Sequence, residues 1–200
     1  MAAPVDLQIG CRCGQFGAVL KDVSPAMGSH VQCHCTDCQT AARVLGAEEQ
    51  LLPRGGSDIF QTTPAHLQIT NGQEHLACLR LSPKGLMRWY AGCCDTPLFN
   101  CLPHTKLAFV GIWVPALQGE AVDKAIGKVI AVVRTQEAPI GSERLREYGF
   151  NRAGFQVLAR HFGALMRGQV KQTPLFDTSG KPIVVPRVLS KEERKAATPS

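Results

Sequence analysis

Cys33-His34-Cys35-Thr36-Asp37-Cys38-Gln39 sets three thiols within six residues. It directly follows the strand-like His30-Val31-Gln32 and precedes Thr40-Ala41-Ala42-Arg43-Val44-Leu45, a short helical run that Gly46 would stop. The thiols therefore stand at a strand-to-helix corner. Two further clusters lie along the chain, Cys11-Arg12-Cys13 and the adjacent pair Cys93-Cys94. Zinc takes thiolates at about 2.3 Å with four ligands in a tetrahedron, so cysteines gathered from separate turns are the sequence form of a zinc site. The nine cysteines are an odd number, and Met1-Ala2-Ala3-Pro4-Val5-Asp6 has no basic stretch leading into an apolar one. The expected compartment is the reducing cytoplasm, where clustered thiols point to metal before disulfides.

The seven clustered cysteines divide into one complete set and one incomplete set. In an extended segment Cys11 and Cys13 point to the same side and supply half a tetrahedron, with Cys93 and Cys94 supplying the other half. That site is closed and structural. Cys33, Cys35 and Cys38 have no evident fourth partner, which leaves a position open for water or a substrate group, as catalytic zinc requires. Two zinc ions are expected. Alternation sends His34 to the face opposite Cys33 and Cys35, so its expected role is to orient rather than to ligate. Cys78 falls within a strand and reads as core, as small buried cysteines do. Cys101 and His104 have a usable spacing, but Pro103 stiffens it and no further cluster stands nearby; His161 lies on a helix flank and reads as ordinary.

Outward from the thiols the pattern is mainly β. Leu7–Gly10 and Phe16–Leu20 read as strands joined by a glycine-relaxed turn, and strand-like stretches recur at Ala65–Thr70, His75–Leu81, Leu86–Ala91 and Leu107–Val114. Asn71-Gly72 is the strongest hairpin signal among the turns between them. Residues 53–64 read as a loop, 120–126 as a short helix, and Val129–Val133 as an apolar run. Phe155, Leu158, Phe162 and Leu165 recur at helical spacing, so 153–167 is expected to be an amphipathic helix laid apolar side down on the β core. Ser190-Lys191-Glu192-Glu193 has capping-box spacing, yet it opens a segment with no long apolar face. The expected organisation is one zinc-binding domain over 1–178, with a helical extension at about 143–170, and a basic, largely flexible tail over 179–200.

Charge narrows the partners. Residues 1–142 carry eleven Lys/Arg and eleven Asp/Glu, so the basic surplus behind the net +6 lies in 143–171 and 180–200. A surplus so small, on a helix and a tail, is a solvated surface rather than a nucleic-acid footprint. No uncharged apolar run is long enough to span a bilayer. Neither nucleic acid nor membrane is expected as a partner, and the oligomeric state is not legible.

Three motifs, in order, make residues 7–114 resemble the glutathione-dependent formaldehyde-activating enzyme and centromere protein V superfamily. They are Gly10-Cys11-Arg12-Cys13-Gly14, then Cys33-His34-Cys35 with Cys38-Gln39, then Arg88-Trp89-Tyr90-Ala91-Gly92-Cys93-Cys94-Asp95-Thr96-Pro97-Leu98. The resemblance implies a β-tent, small antiparallel sheets around two zinc ions, with Cys11, Cys13 and Cys94 at the structural ion and Cys33, Cys35 and Cys38 at the catalytic one. It also implies carbon–sulfur lyase-type chemistry, with glutathione or another small thiol as partner, formaldehyde as its acceptor and S-hydroxymethylglutathione as product. Arg43 or Arg88 would then meet substrate carboxylates. This chain departs from the family's C-x-x-C-G, whose first cysteine falls at Ala91 and whose glycine falls at Asp95. Cys93 is an additional thiol able to stand in for the missing ligand, and the variant marks a divergent subgroup. The alternative is a zinc-stabilised binding module without turnover, whose Arg-rich helix and basic tail meet an acidic partner.

Overall fold

The alternating apolar stretches form strands of two sheets in the computed structural model, which describes residues 3–141 and 145–199. The smaller sheet contains β1 (Val5–Gly10), β2 (Gly17–Val23), β5 (Leu67–Asn71) and β10 (Leu117–Gln118) in the order β10-β1-β2-β5, antiparallel throughout. The larger contains β3 (Ser29–Cys33), β4 (Ser57–Thr62), β6 (Leu76–Arg80), β7 (Met87–Ala91), β8 (Thr96–Cys101), β9 (Val110–Trp113), β11 (Val129–Val133) and β12 (Arg187–Val188). Its order is β11-β3-β4-β9-β8-β7-β6-β12, antiparallel within and parallel at its two edge pairs. Among the described residues four α-helices complete it: α1 (Thr36–Val44), α2 (Val122–Ile126), α3 (Phe150–Met166) and α4 (Lys191–Ala197). The protein is therefore mainly β, with a helix toward its C-terminus. Leu7, Ile9, Leu20 and Val23 of the small sheet share one core with Phe60, Trp89, Phe99 and Ile112 of the large one. No helix of the described residues is long and apolar enough to cross a membrane.

Four local expectations change. The stretch read as a loop at 53–64 contains β4, a central strand between β3 and β9. Its polar members Ser57 and Thr62 are buried with Ile59 and Phe60, so composition there disguises a strand covered on both faces. Asn71-Gly72 turns the chain but makes no hairpin: β5 pairs with β2, while β6 begins the far flank of the other sheet. Gly72 adopts a φ of 69°, and a Cβ there would collide with the Gln15 carbonyl oxygen, so glycine is required where the chain leaves β5 against the β1–β2 turn.

The third change concerns α3, which lies the other way up. Ala153 and Ala164 are buried, while Phe155, Leu158, Phe162 and Leu165 are all more than half exposed. Gly149, at a φ of 78°, abuts the Ile130 carbonyl, and Tyr148 exchanges two backbone hydrogen bonds with Val132. These contacts set the rotation at which α3 meets β11 before any side chain packs. Ser29 then donates to Gln156 (2.6 Å) and accepts from Arg160 (2.9 Å), drawing the polar side inward. Residues 143 and 144 of the expected helical extension lie outside the described residues.

The fourth is the tail, which docks. β12 pairs with β6, Leu189 is buried with Ala41, Leu45, Leu79 and Leu81, and Arg194 pairs with Asp37 at 2.9 Å. One buried leucine between a two-residue strand and a capped helix supplies the apolar contact that the polar composition concealed.

Candidate metal centres

The first cluster grows out of two turns. Cys11 and Cys13 follow the end of β1, in a turn closed by Gly14 N–H to the Cys11 carbonyl (3.1 Å) rather than in a strand. Cys93 and Cys94 occupy the turn between β7 and β8, where Cys94 N–H reaches the Ala91 carbonyl. The two turns belong to different sheets, and the sulfurs meet between them. Sγ separations are 3.5 Å for Cys11–Cys13, 3.8 Å for Cys11–Cys93, 3.3 Å for Cys13–Cys93 and 3.9 Å for Cys93–Cys94. Four thiolates at 2.3 Å from one ion require tetrahedral edges of about 3.8 Å, so the donor set fits a metal of zinc's size. Cys93 takes part directly, whereas Ala91, where the family pattern has a cysteine, is fully buried in β7.

Neighbouring groups favour the anionic forms of Cys11 and Cys94, while burial and the surrounding thiols push Cys93 up. Phe16 N–H donates to Cys11 Sγ (3.3 Å), and the Arg12 guanidinium donates to the Cys94 carbonyl (2.6 Å). Burial opposes ionisation of Cys94. The Thr96 hydroxyl at 3.1 Å, with hydrogen bonds from Cys13, outweighs it and holds that thiol down to about 6. Thr96 Oγ1 accepts Arg12 N–H at 3.0 Å on a lone pair, which leaves its own hydrogen available to Cys94 Sγ.

The second cluster sits at the corner between β3 and α1. Cys33 ends the strand, Cys35 is the residue before the helix, and Cys38 lies in the first turn, its N–H bonded to the Cys35 carbonyl (3.0 Å). The three sulfurs lie within 4.8 Å of one another, with no fourth His, Cys, Asp or Glu ligand beside them among the described residues. His34 is buried and turned away, its Nδ1 3.1 Å from the Arg54 carbonyl oxygen. Gln39 donates from Nε2 to the His34 (2.7 Å) and Glu137 (3.1 Å) carbonyls, and the Glu137 carboxylate accepts Thr36 N–H (2.8 Å). This lattice fixes the corner without occupying the sulfurs.

Arg88 is the residue whose part the sequence did not reveal. It is only 6% exposed, and its Nη1 donates to Cys38 Sγ at 3.8 Å. A guanidinium cannot shed its charge and is costly to bury without an anion, so it demands a thiolate here. Cys38 is held well below the ordinary thiol range by hydrogen bonds from Cys33 and Cys35 and then by Arg88. Cys33 is pushed up, first by its hydrogen bond with Cys35. For Cys35 the hydrogen bond with Cys33 works against a rise, but the neighbouring Cys38 and burial carry it up to about 12. Three thiolates around one divalent cation carry a net −1, which Arg88 balances. Arg88 thus faces the cluster, not a substrate carboxylate, and Arg43 is paired with Glu48 at 2.9 Å.

The remaining cysteines stand apart. Cys78 and Cys101 are buried, and burial pushes each up to about 12. Cys101 accepts the Trp89 indole N–H at 3.2 Å, and His161 Nδ1 accepts Ala108 N–H at 3.3 Å. Both clusters, then, have the donor chemistry and spacing to hold a metal ion.

No curated protein matches this sequence. A crystal structure of a Rhodobacter sphaeroides protein is similar over 61% of this chain and 96% of that one, at 16% identity and a TM-score of 0.43. The model of the Family of unknown function (DUF6151) matches residues 3–185, and the chain belongs to that family.

Proposed function

We propose that the protein holds two zinc ions, a closed structural one at Cys11, Cys13, Cys93 and Cys94 and an open one at Cys33, Cys35 and Cys38 that serves thiol chemistry. One observation carries this reading: the first cluster brings four thiols together, and the second brings three with a buried cation beside them and no fourth ligand among the described residues. Zinc so held supplies Lewis acidity and a position at which an incoming thiol is kept deprotonated.

The chain's own residues do the rest. Arg88 balances the charge on Cys38, and Gln39 and Glu137 pin the corner. The cavity behind, lined by Cys38, Arg88 and Trp113 among others, is about 20 Å³, room for one water. A thiol must therefore approach on the side of Cys33 and Cys35, which are half-buried. The family resemblance suggests glutathione as that thiol and formaldehyde as its acceptor. The thiol gives its proton to solvent on binding, the thiolate sulfur bonds to the carbonyl carbon, the carbonyl π pair moves onto oxygen and takes a proton back from solvent, and S-hydroxymethylglutathione results.

The test uses the full chain with zinc. Parent protein should carry close to two zinc per chain, and Cys35→Ser close to one, with its β structure retained. The parent should bind glutathione and speed its exchange with formaldehyde by exchange NMR, and the variant should do neither. A two-zinc parent that leaves glutathione unbound and the exchange rate unchanged overturns the thiol chemistry and leaves a zinc-stabilised binding module.

A further inference from the structure

An amphipathic helix on a soluble domain normally turns its apolar stripe inward, because burying that stripe is what holds the helix in place. α3 does the opposite. At about 100° per residue its stripe of Phe155, Leu158, Phe162, Leu165 and Met166 is centred roughly 160° from buried Ala153 and Ala164. The five side chains are 72%, 51%, 62%, 56% and 87% exposed. Arg160, by contrast, is turned into the body beside Ser29.

We propose that this face is the interface of a homodimer, in which two copies of the chain pair their α3 helices antiparallel about a two-fold axis beside residue 160. Three features of the face select a second copy. Its principal residues 155, 158, 162 and 165 are spaced three, four and three apart, the narrow seam of helix-on-helix packing rather than a broad membrane-lying face. The seam is self-complementary under that axis: Phe155 lies against the partner's Leu165 and Leu158 against the partner's Phe162, so every layer joins one phenyl ring to one leucine. Gly154 and Ala159 beside the seam let the backbones approach.

The area is also of the right order. Phe155 and Phe162 are aromatic side chains of some 150–250 Å² each, and together with Leu158, Leu165 and Met166, all more than half exposed, they offer on the order of 600 Å² per protomer. Two copies would bury about 1,200 Å², the lower bound of a specific interface. Charge does not oppose the pairing. α3 contains no Asp or Glu, but in this register Arg152 faces the partner's Gly168, and Arg160 points away from the axis. An obligate acidic partner is unnecessary.

Sedimentation velocity of the zinc-loaded full chain at micromolar concentration tests this. The parent should sediment as a dimer. Leu158→Glu and Phe162→Lys should each be monomeric, with dissociation constants raised by about a hundredfold or more, because a buried charge meets an apolar partner. Both should stay folded and melt cooperatively, below the parent only by the stabilisation that association itself supplies at the concentration used, since these side chains are exposed in the subunit. Mixing the two variants should restore the dimer, because antiparallel pairing sets position 158 of one copy against 162 of the other. If either variant fails to fold, Phe155→Gln gives the same readout. A monomeric parent, variants that remain dimeric, or a mixture that does not reassociate overturns the proposal. So does monomeric parent that co-sediments with phosphatidylserine vesicles, which would assign the face to a membrane.

Discussion

Arg88 carries the residue-scale consequence of the second cluster. Its guanidinium is buried against Cys38, and groups that hydrogen-bond to a metal's ligands commonly tune affinity ten- to a hundredfold. Arg88→Met should weaken zinc at Cys33, Cys35 and Cys38 by roughly that factor, leave the ion at the first cluster in place, and leave the fold intact. Arg88→Lys, which keeps the charge but loses the planar donor, should recover part of the loss. Competition against a graded chelator, read with zinc stoichiometry, separates the two sites. Equal affinity in all three proteins would show that Arg88 only packs. Sequence reading named Arg88 but aimed it at a substrate, because nothing in a linear motif says that Cys38 lies across from β7.

At the scale of elements, α4 and β12 show how little apolar sequence a docked segment needs. The capping box is made as its spacing implies, with Ser190 Oγ accepting Glu193 N–H at 3.1 Å and the Glu193 carboxylate accepting Ser190 N–H at 2.8 Å. Docking itself rests on Leu189, which is 6% exposed. Leu189→Ala should lower stability by about 2 kcal/mol, at the low end for a buried leucine because its satellite cluster is small. Deleting residues 187–200 should cost at least as much, with both effects visible as a lower thermal midpoint. A truncated chain that melts with the parent would return the segment to the flexible tail its composition suggests. Because Arg194 reaches Asp37, between Cys35 and Cys38, this segment also braces the corner that carries the open thiol set.

For the whole molecule the first cluster stands where the proposed ion would act as a staple. Its sulfurs bring the turn after β1 in the small sheet to the β7–β8 turn in the large one, over a core to which both sheets contribute. A closed thiolate site adds its binding free energy to folding. Stripping zinc with a strong chelator should therefore abolish or greatly lower the cooperative melt, and Cys13→Ser should do so more severely than Cys35→Ser. Calorimetry with and without metal reads this directly, and similar losses in the two variants would contradict a division into structural and open sites. Cysteine clustering, strand alternation at β1, β2, β6 and β7, and the helical spacing of α3 were legible in the sequence, since each is a local pattern with its own period. Tertiary structure alone decided that β5 joins β2 rather than β6, that Arg88 of β7 meets Cys38, and that α3 turns its phenylalanines outward. Each of those outcomes is set by a contact between distant segments, an open strand edge, a strand laid against a helix start, or the close approach of Gly149 to Ile130, and sequence periodicity carries no record of which distant segment arrives.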